Sequence, residues 1–120
     1  MNFNKVFLGG NLTRDPEFKT LESGASVCNF SIAVNRRWKD KSSNELKEEV
    51  SFINCVSWQG LAKVVSENFK KGDPIFVEGR IKTETFDKDG TTQHRTKVVV
   101  EGVQFIFSKK ADGGADTEEY

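Results

Sequence analysis

From Val27 to Asn35 the chain alternates without a break. Cys28, Phe30, Ile32 and Val34 fall on one face, and Asn29, Ser31, Ala33 and Asn35 on the other. Period two is what a half-buried strand requires, because successive side chains of extended backbone point to opposite sides. A helix would scatter the same residues around its circumference. The small and polar face leaves room to receive a ligand. Because period two recurs along most of the chain, the fold is built mainly of strands.

A first strand is expected around Val6-Phe7-Leu8, with a glycine bulge at Gly9-Gly10 and a stop at Asp15-Pro16. After the Val27 strand, the polar and basic stretch 36–49 reads as a loop-like hairpin. A third strand from Val50 to Trp58 turns Ile53 and Cys55 toward a core and sets Phe52, Asn54, Val56 and Trp58 on the opposite face. Then the period changes. Leu61, Val64, Val65 and Phe69 have helical spacing, and Gly72 after Lys70-Lys71 is a C-terminal stop. Pro74 opens a fourth strand through Ile75, Val77 and Ile81 to Phe86, and Asp87-Lys88-Asp89-Gly90 is a turn signal. A fifth strand runs from about Thr92 through Val98-Val99-Val100 to Phe107. Five strands with one short helix between the third and fourth is the order of an all-β OB-fold barrel. Residues 1–108 are expected to form this domain, with Phe7, Phe30, Phe69, Phe105 and Phe107 in its core, and 109–120 a short flexible acidic tail.

A chain of 120 residues suits one domain with a modest core. No apolar run is long enough to span a bilayer, and Met1 to Lys5 lacks a charged-then-apolar export signal, so a cytoplasmic location with no membrane contact is expected. Cys28 and Cys55 match no metal-ligand spacing and sit in apolar strand patterns, as buried reduced thiols would. His94 is the single histidine, so a histidine-based triad, zinc triad or acid/base pair would need help from distant residues and is not expected. Gly9 to Thr13 lacks the lysine of a phosphate-cradling loop. A calcium loop centred on Gly90 would need carboxylates where Thr85 and Thr96 stand. Neither catalysis nor a metal or other cofactor is expected.

Lys and Arg number 18 and so do Asp and Glu, which excludes nucleic-acid binding by bulk charge alone. The distribution is more informative. Asp112, Asp116, Glu118 and Glu119 lie in the last nine residues, which hold no base; without those nine the chain has 18 bases against 14 acids. Arg36-Arg37-Trp38-Lys39-Asp40-Lys41 is locally basic around a tryptophan.

Four aromatics do not fit the expected core. Trp38 lies in the charged hairpin, Phe52 and Trp58 on the outward face of the third strand, and Phe86 beside the polar turn. Exposed rings of this kind offer stacking platforms for unpaired bases, each worth about 1–3 kcal/mol and indifferent to sequence. Arg36, Arg37, Lys39, Lys41, Lys47, Lys71 and Lys82 are candidate phosphate contacts, and Asn54 and Arg80 join them from the same strands.

The chain resembles the bacterial single-stranded DNA-binding protein family over about residues 3–107. The likeness is carried by Asn4-Lys5-Val6, Gly10-Asn11-Leu12 followed by Asp15-Pro16-Glu17, Trp38-Lys39-Asp40-Lys41, Leu61-Ala62, Lys71-Gly72, Val77-Glu78-Gly79 and Val98-Val99-Val100. It implies an OB fold, sequence-independent binding of single-stranded DNA in replication, recombination and repair, and a homotetramer, with a dimer as the alternative. The family's stacking aromatics fall on Trp38, Phe52, Trp58 and Phe86, and its basic contacts on Lys5, Lys19, Lys41, Lys47 and Lys71. Gly60 and Glu84 stand where members tend to carry a base. The tail ends in acids and Tyr120 without the family's proline, so recruitment of replication and repair proteins through it is not expected. The edge of the first strand and the hairpin around Asp87–Gly90 are the expected subunit contacts. A protein-interaction module or an RNA-binding protein on the same barrel stay open as alternatives.

Overall fold

The computed structural model describes residues 1–105. Six strands and one helix follow in the order β1 (Val6–Leu12), β2 (Glu17–Thr20), β3 (Ser26–Lys39), β4 (Leu46–Trp58), α1 (Gly60–Asn68), β5 (Pro74–Lys88) and β6 (Thr91–Phe105). The sheet order is β1-β5-β6-β4-β3-β2, and β1 pairs back onto β3 through Asn11 with Ala33 and Leu12 with Ile32. That pairing closes five long strands into an OB-fold barrel, with α1 between the third and fourth of them. Ring closure leaves few free edges, a common solution for small all-β domains.

The barrel interior holds Leu12, Cys28, Phe30, Ile32, Cys55, Val77, Val98 and Val100, with Ala62, Val65 and Phe69 packing in from the helix end. The alternation of the sequence is thus met on the inward side of β3. On its other side Ser31 is only 4% exposed, and Asn29 and Ala33 are half-buried, so that face is less open than the small side chains suggest. Val56, on the outward face of β4, is buried as well, in a second small cluster with Val27 and Val99.

Several expectations are corrected. β2 is a further strand: Glu17 to Thr20 pairs with Val27 and its neighbours, but all four residues are exposed, so no burial pattern marks it. No bulge interrupts Gly9-Gly10; β1 runs through both in unbroken register with β5. A Cβ on Gly10 would collide with the Ala33 carbonyl oxygen, so glycine there serves the close crossing of β1 over β3. The irregularity lies instead between Glu78 and Gly79, where the β5–β6 register shifts by one residue. Phe7 is not in the core. It is 59% exposed and stacks outside on Phe76, centroids 6.3 Å apart. Phe105 enters as strand backbone only; the Phe107 and tail expectations lie outside the described residues.

The polar stretch is ordered as strand too. β3 and β4 pair continuously from Val27 opposite Trp58 to Lys39 opposite Leu46. Opposite charges face each other along it: Arg36 and Glu49 approach to 3.5 Å, Arg37 and Glu48 to 3.6 Å. At its tip the Ser42 backbone N–H and the Ser42 and Ser43 hydroxyls donate to the Asp40 carboxylate, which holds that carboxyl below its ordinary pKa. The β5–β6 hairpin closes on Asp89 and Gly90, with φ of 53° and 78°, the backbone of a two-residue I′-type turn.

Both cysteines are free and buried. Burial pushes the Cys28 thiol up to about 11, with Glu17 adding to the effect, and the Cys55 thiol up to about 12. Because these folded values exceed the 9.0 of a solvated thiol, the folded state keeps its protons longer, and stability falls as pH rises from about 9 toward these values. Neither thiol should react rapidly with a disulfide reagent such as DTNB at pH 8, whereas both should after denaturation. Rapid titration of either in the native protein would contradict the packing.

Candidate nucleic-acid interface

Register determines which candidate side chains share a face. Phe52, Asn54, Val56 and Trp58 alternate along β4 and lie opposite Ala33, Ser31, Asn29 and Val27. Phe52 is 69% and Trp58 42% exposed on this outward face. Trp58 is held by its neighbour Gln59. The Gln59 N–H donates to the Ser26 carbonyl at 2.8 Å, and its side-chain Oε1 accepts from the Ser26 N–H at 3.3 Å. Gln59 has φ 55°, so the chain turns sharply from β4 into α1 and leaves Trp58 at the strand end. Lys19, Val27 and Trp58 form one cross-strand row over β2, β3 and β4, which brings an exposed cation to the Trp58 side of the face.

Past the shift at Gly79, β5 and β6 present Arg80, Lys82, Glu84 and Phe86 opposite Val99, Lys97, Arg95 and Gln93. Val99 pairs beside Val56, so this set continues the outward face of β4. β4 and β6 pair only at Cys55 with Val98 and Val56 with Val99. Beyond those residues they separate and open a cleft of about 340 Å³. Val6, Leu8, Ile53 and Ile81 supply apolar walls, while Phe52, Asn54 and Lys97 add an aromatic ring, an amide and a cation.

Trp38 stands elsewhere. It pairs with Lys47 on the face of β3 that continues Phe30 and Ile32 beyond the barrel, and it is half-buried. The Arg36 guanidinium lies 4.5 Å from its ring centroid. Phe86 is likewise half-buried, with the Arg95 guanidinium 4.9 Å from its centroid. Each of these two rings carries a guanidinium on one face, an arrangement favoured by the ring quadrupole. The four aromatics therefore fall into two exposed rings on β4 and two guanidinium-covered rings on the hairpin arms.

Most candidate cations are already paired. Arg80 donates to Glu101 at 2.9 Å, and Lys5 donates to Glu78 at 3.1 Å and to Glu101 at 3.4 Å. The bond to Glu78, then that to Glu101, raises the Lys5 pKa; the bond from Arg80, then that from Lys5, lowers that of Glu101. Lys47 lies 3.9 Å from Asp40, and Lys82 3.9 Å from Glu84. Among the described residues, Lys19, Lys39, Lys41 and Lys71 have no carboxylate within 4 Å. Lys71 is placed by its backbone N–H, which donates to Asp15 at 2.8 Å. Arg95 and Lys97 were not among the candidates read from sequence. The two-residue turn at Asp89-Gly90 was the available signal, since counting outward from it sets Lys97 against Lys82.

The described residues contain no group of three metal-ligating side chains, and no helix among them is long and apolar enough to cross a membrane. What the surface offers is stacking area, an amide and distributed cations, the equipment for holding unpaired polynucleotide.

Comparison with known proteins agrees. The sequence profile of the Single-strand binding protein family matches residues 3–106. A single-stranded DNA-binding protein of Oceanobacillus iheyensis is 43% identical over 115 residues, covering 95% of this chain and 70% of that protein. Single-stranded DNA-binding protein 2 of Chlorobaculum tepidum is 35% identical over 119 residues, covering 98% of this chain and 80% of its own length. Among solved structures, the Plasmodium falciparum SSB complex with ssDNA superposes with a TM-score of 0.77 at 27% identity, covering 82% of this chain and 87% of that one. This chain belongs to the Single-strand binding protein family.

Proposed function

We propose that this protein binds single-stranded DNA without reading its sequence, protecting it during replication, recombination and repair, and that it does so without catalysis. The observation that carries the reading is the exposure of Phe52 and Trp58 on one outward face, with Asn54 between them and Lys19 in the row of Trp58. Bases stack on the two rings, and the cations of β2, β5 and the hairpin tip follow the backbone. Trp38 and Phe86 act as further platforms on the arms. Lys5, Lys39, Lys41, Lys47, Lys71, Arg36, Arg37, Arg80 and Lys82 serve as phosphate contacts, those in ion pairs only by exchanging a carboxylate for a phosphate.

The working form is a homotetramer in the cytoplasm. β1 supports assembly: one edge is paired to β5 along its length, while the other is paired only at Asn11 and Leu12, and the Phe7–Phe76 stack lies exposed on the same element pair. The Asp87–Gly90 hairpin is a second contact. A mass measurement in solution that returned a monomer would remove this part of the proposal.

Tryptophan fluorescence titrated with oligo-dT, oligo-U and duplex DNA at two salt concentrations tests the binding reading. Strong quenching by oligo-dT, with little by duplex, is expected. Quenching by none of the three would favour a protein-interaction module, and preference for oligo-U an RNA-binding role.

A further inference from the structure

Lys82 and Lys97 sit directly opposite each other across β5 and β6. Like charges in that position repel. What holds them is a single carboxylate oxygen: Glu84 Oε2 lies 3.1 Å from Lys97 Nζ and 3.9 Å from Lys82 Nζ. Arg95, the cross-strand partner of Glu84, turns its guanidinium over the Phe86 ring instead of making a close ion pair. Three cations thus surround one anion beside a stacking ring, and all four charged groups belong to the outward face. Lys97 also lines the cleft that Phe52 and Asn54 border, linking this cluster to the exposed aromatic on β4.

We propose that Lys97, Lys82 and Arg95 form a phosphodiester-binding seat which Glu84 occupies in the free protein and which the DNA backbone takes over on binding. The proposal rests on the single-stranded DNA reading above and adds to it two residues, Arg95 and Lys97, together with a built-in competitor. One oxygen between two ammonium groups is the arrangement a non-bridging phosphate oxygen adopts, and a phosphate brings a second such oxygen within reach of Arg95. Glu84 is 37% exposed at its side chain, so it can swing into solvent as the phosphate arrives. While in place, it keeps the two lysines from repelling across the hairpin, and bound to them it lowers the electrostatic attraction the seat can exert.

Glu84→Gln should raise affinity for oligo-dT about 5–10-fold at low salt. It should also steepen the fall of log K with log salt by roughly 0.7–1.4, the contribution of one or two additional phosphate contacts on single strands. Glu67→Gln makes the same change in net charge on the exposed side of α1 and should stay within about twofold of the parent. In a Lys82→Ala, Lys97→Ala background the gain from Glu84→Gln should vanish. Equal affinities for Glu84→Gln and Glu67→Gln, or a gain that survives loss of both lysines, would overturn the seat while leaving DNA binding intact. Failure of the parent protein to bind oligo-dT would overturn both. Thermal melts of each variant exclude unfolding as the cause of any loss.

Discussion

Replacing Phe52 and Trp58 together by alanine is expected to weaken oligo-dT binding by about 30-fold or more. Each ring removed forfeits about 1–3 kcal/mol of base stacking, so the pair loses roughly 2–6 kcal/mol, and 1.4 kcal/mol is tenfold. Both rings are exposed, at 69% and 42%, and neither belongs to the barrel core. Their loss should therefore leave the melting transition within about ±0.5 kcal/mol of the parent. Binding is best followed by anisotropy of labelled oligo-dT, since one of the two tryptophans is gone. An affinity within a few-fold of the parent would show that bases are not held on β4. Charge cannot make up the deficit, because Arg36, Arg37, Lys47, Arg80, Lys5 and Lys82 all begin with a carboxylate neighbour. Exchange of one anion for another yields less than filling an empty site.

The second large effect is on folding. Phe30 is 1% exposed and packs among Cys28, Ile32, Cys55, Val77 and Val98 inside the ring of strands. Phe30→Ala should cost about 3–5 kcal/mol, combining lost transfer free energy with a cavity the closed barrel cannot collapse around. At about 4 °C per kcal/mol, the melting temperature should fall by some 12–20 °C. The comparison must be made at one protein concentration, because assembly shifts apparent stability. A fall of less than about 4 °C would mean that the barrel interior is much looser than its burial indicates.

Sequence periodicity was enough for the long strands and the helix, because burial on one side imposes a period that survives in the residues. It failed where burial is absent or two-sided. Glu17 to Thr20 pairs along β3 with every side chain exposed, so backbone hydrogen bonds alone define it. Val6-Phe7-Leu8 is apolar on both faces, and composition could not tell which side chain points out; pairing of Phe7 with Glu78 decides it. The hairpin arms have no apolar alternation, yet Arg36-Arg37 and Glu48-Glu49 carry complementary charges that the register sets face to face. The exposed aromatics on β4 were legible because rings in a polar phase of the alternation stand out. Their division from Trp38 and Phe86 was not, since it depends on where two guanidinium groups settle.

Only two residue pairs join β4 to β6. Past them, within one chain, each hairpin is a cantilever anchored at the barrel, and bending one exerts no direct pull on the other through the sheet. A polymer lying across both would serve as the missing crosspiece, so the loaded protein should be mechanically stiffer than the empty one without any change in its own hydrogen-bonded ladders.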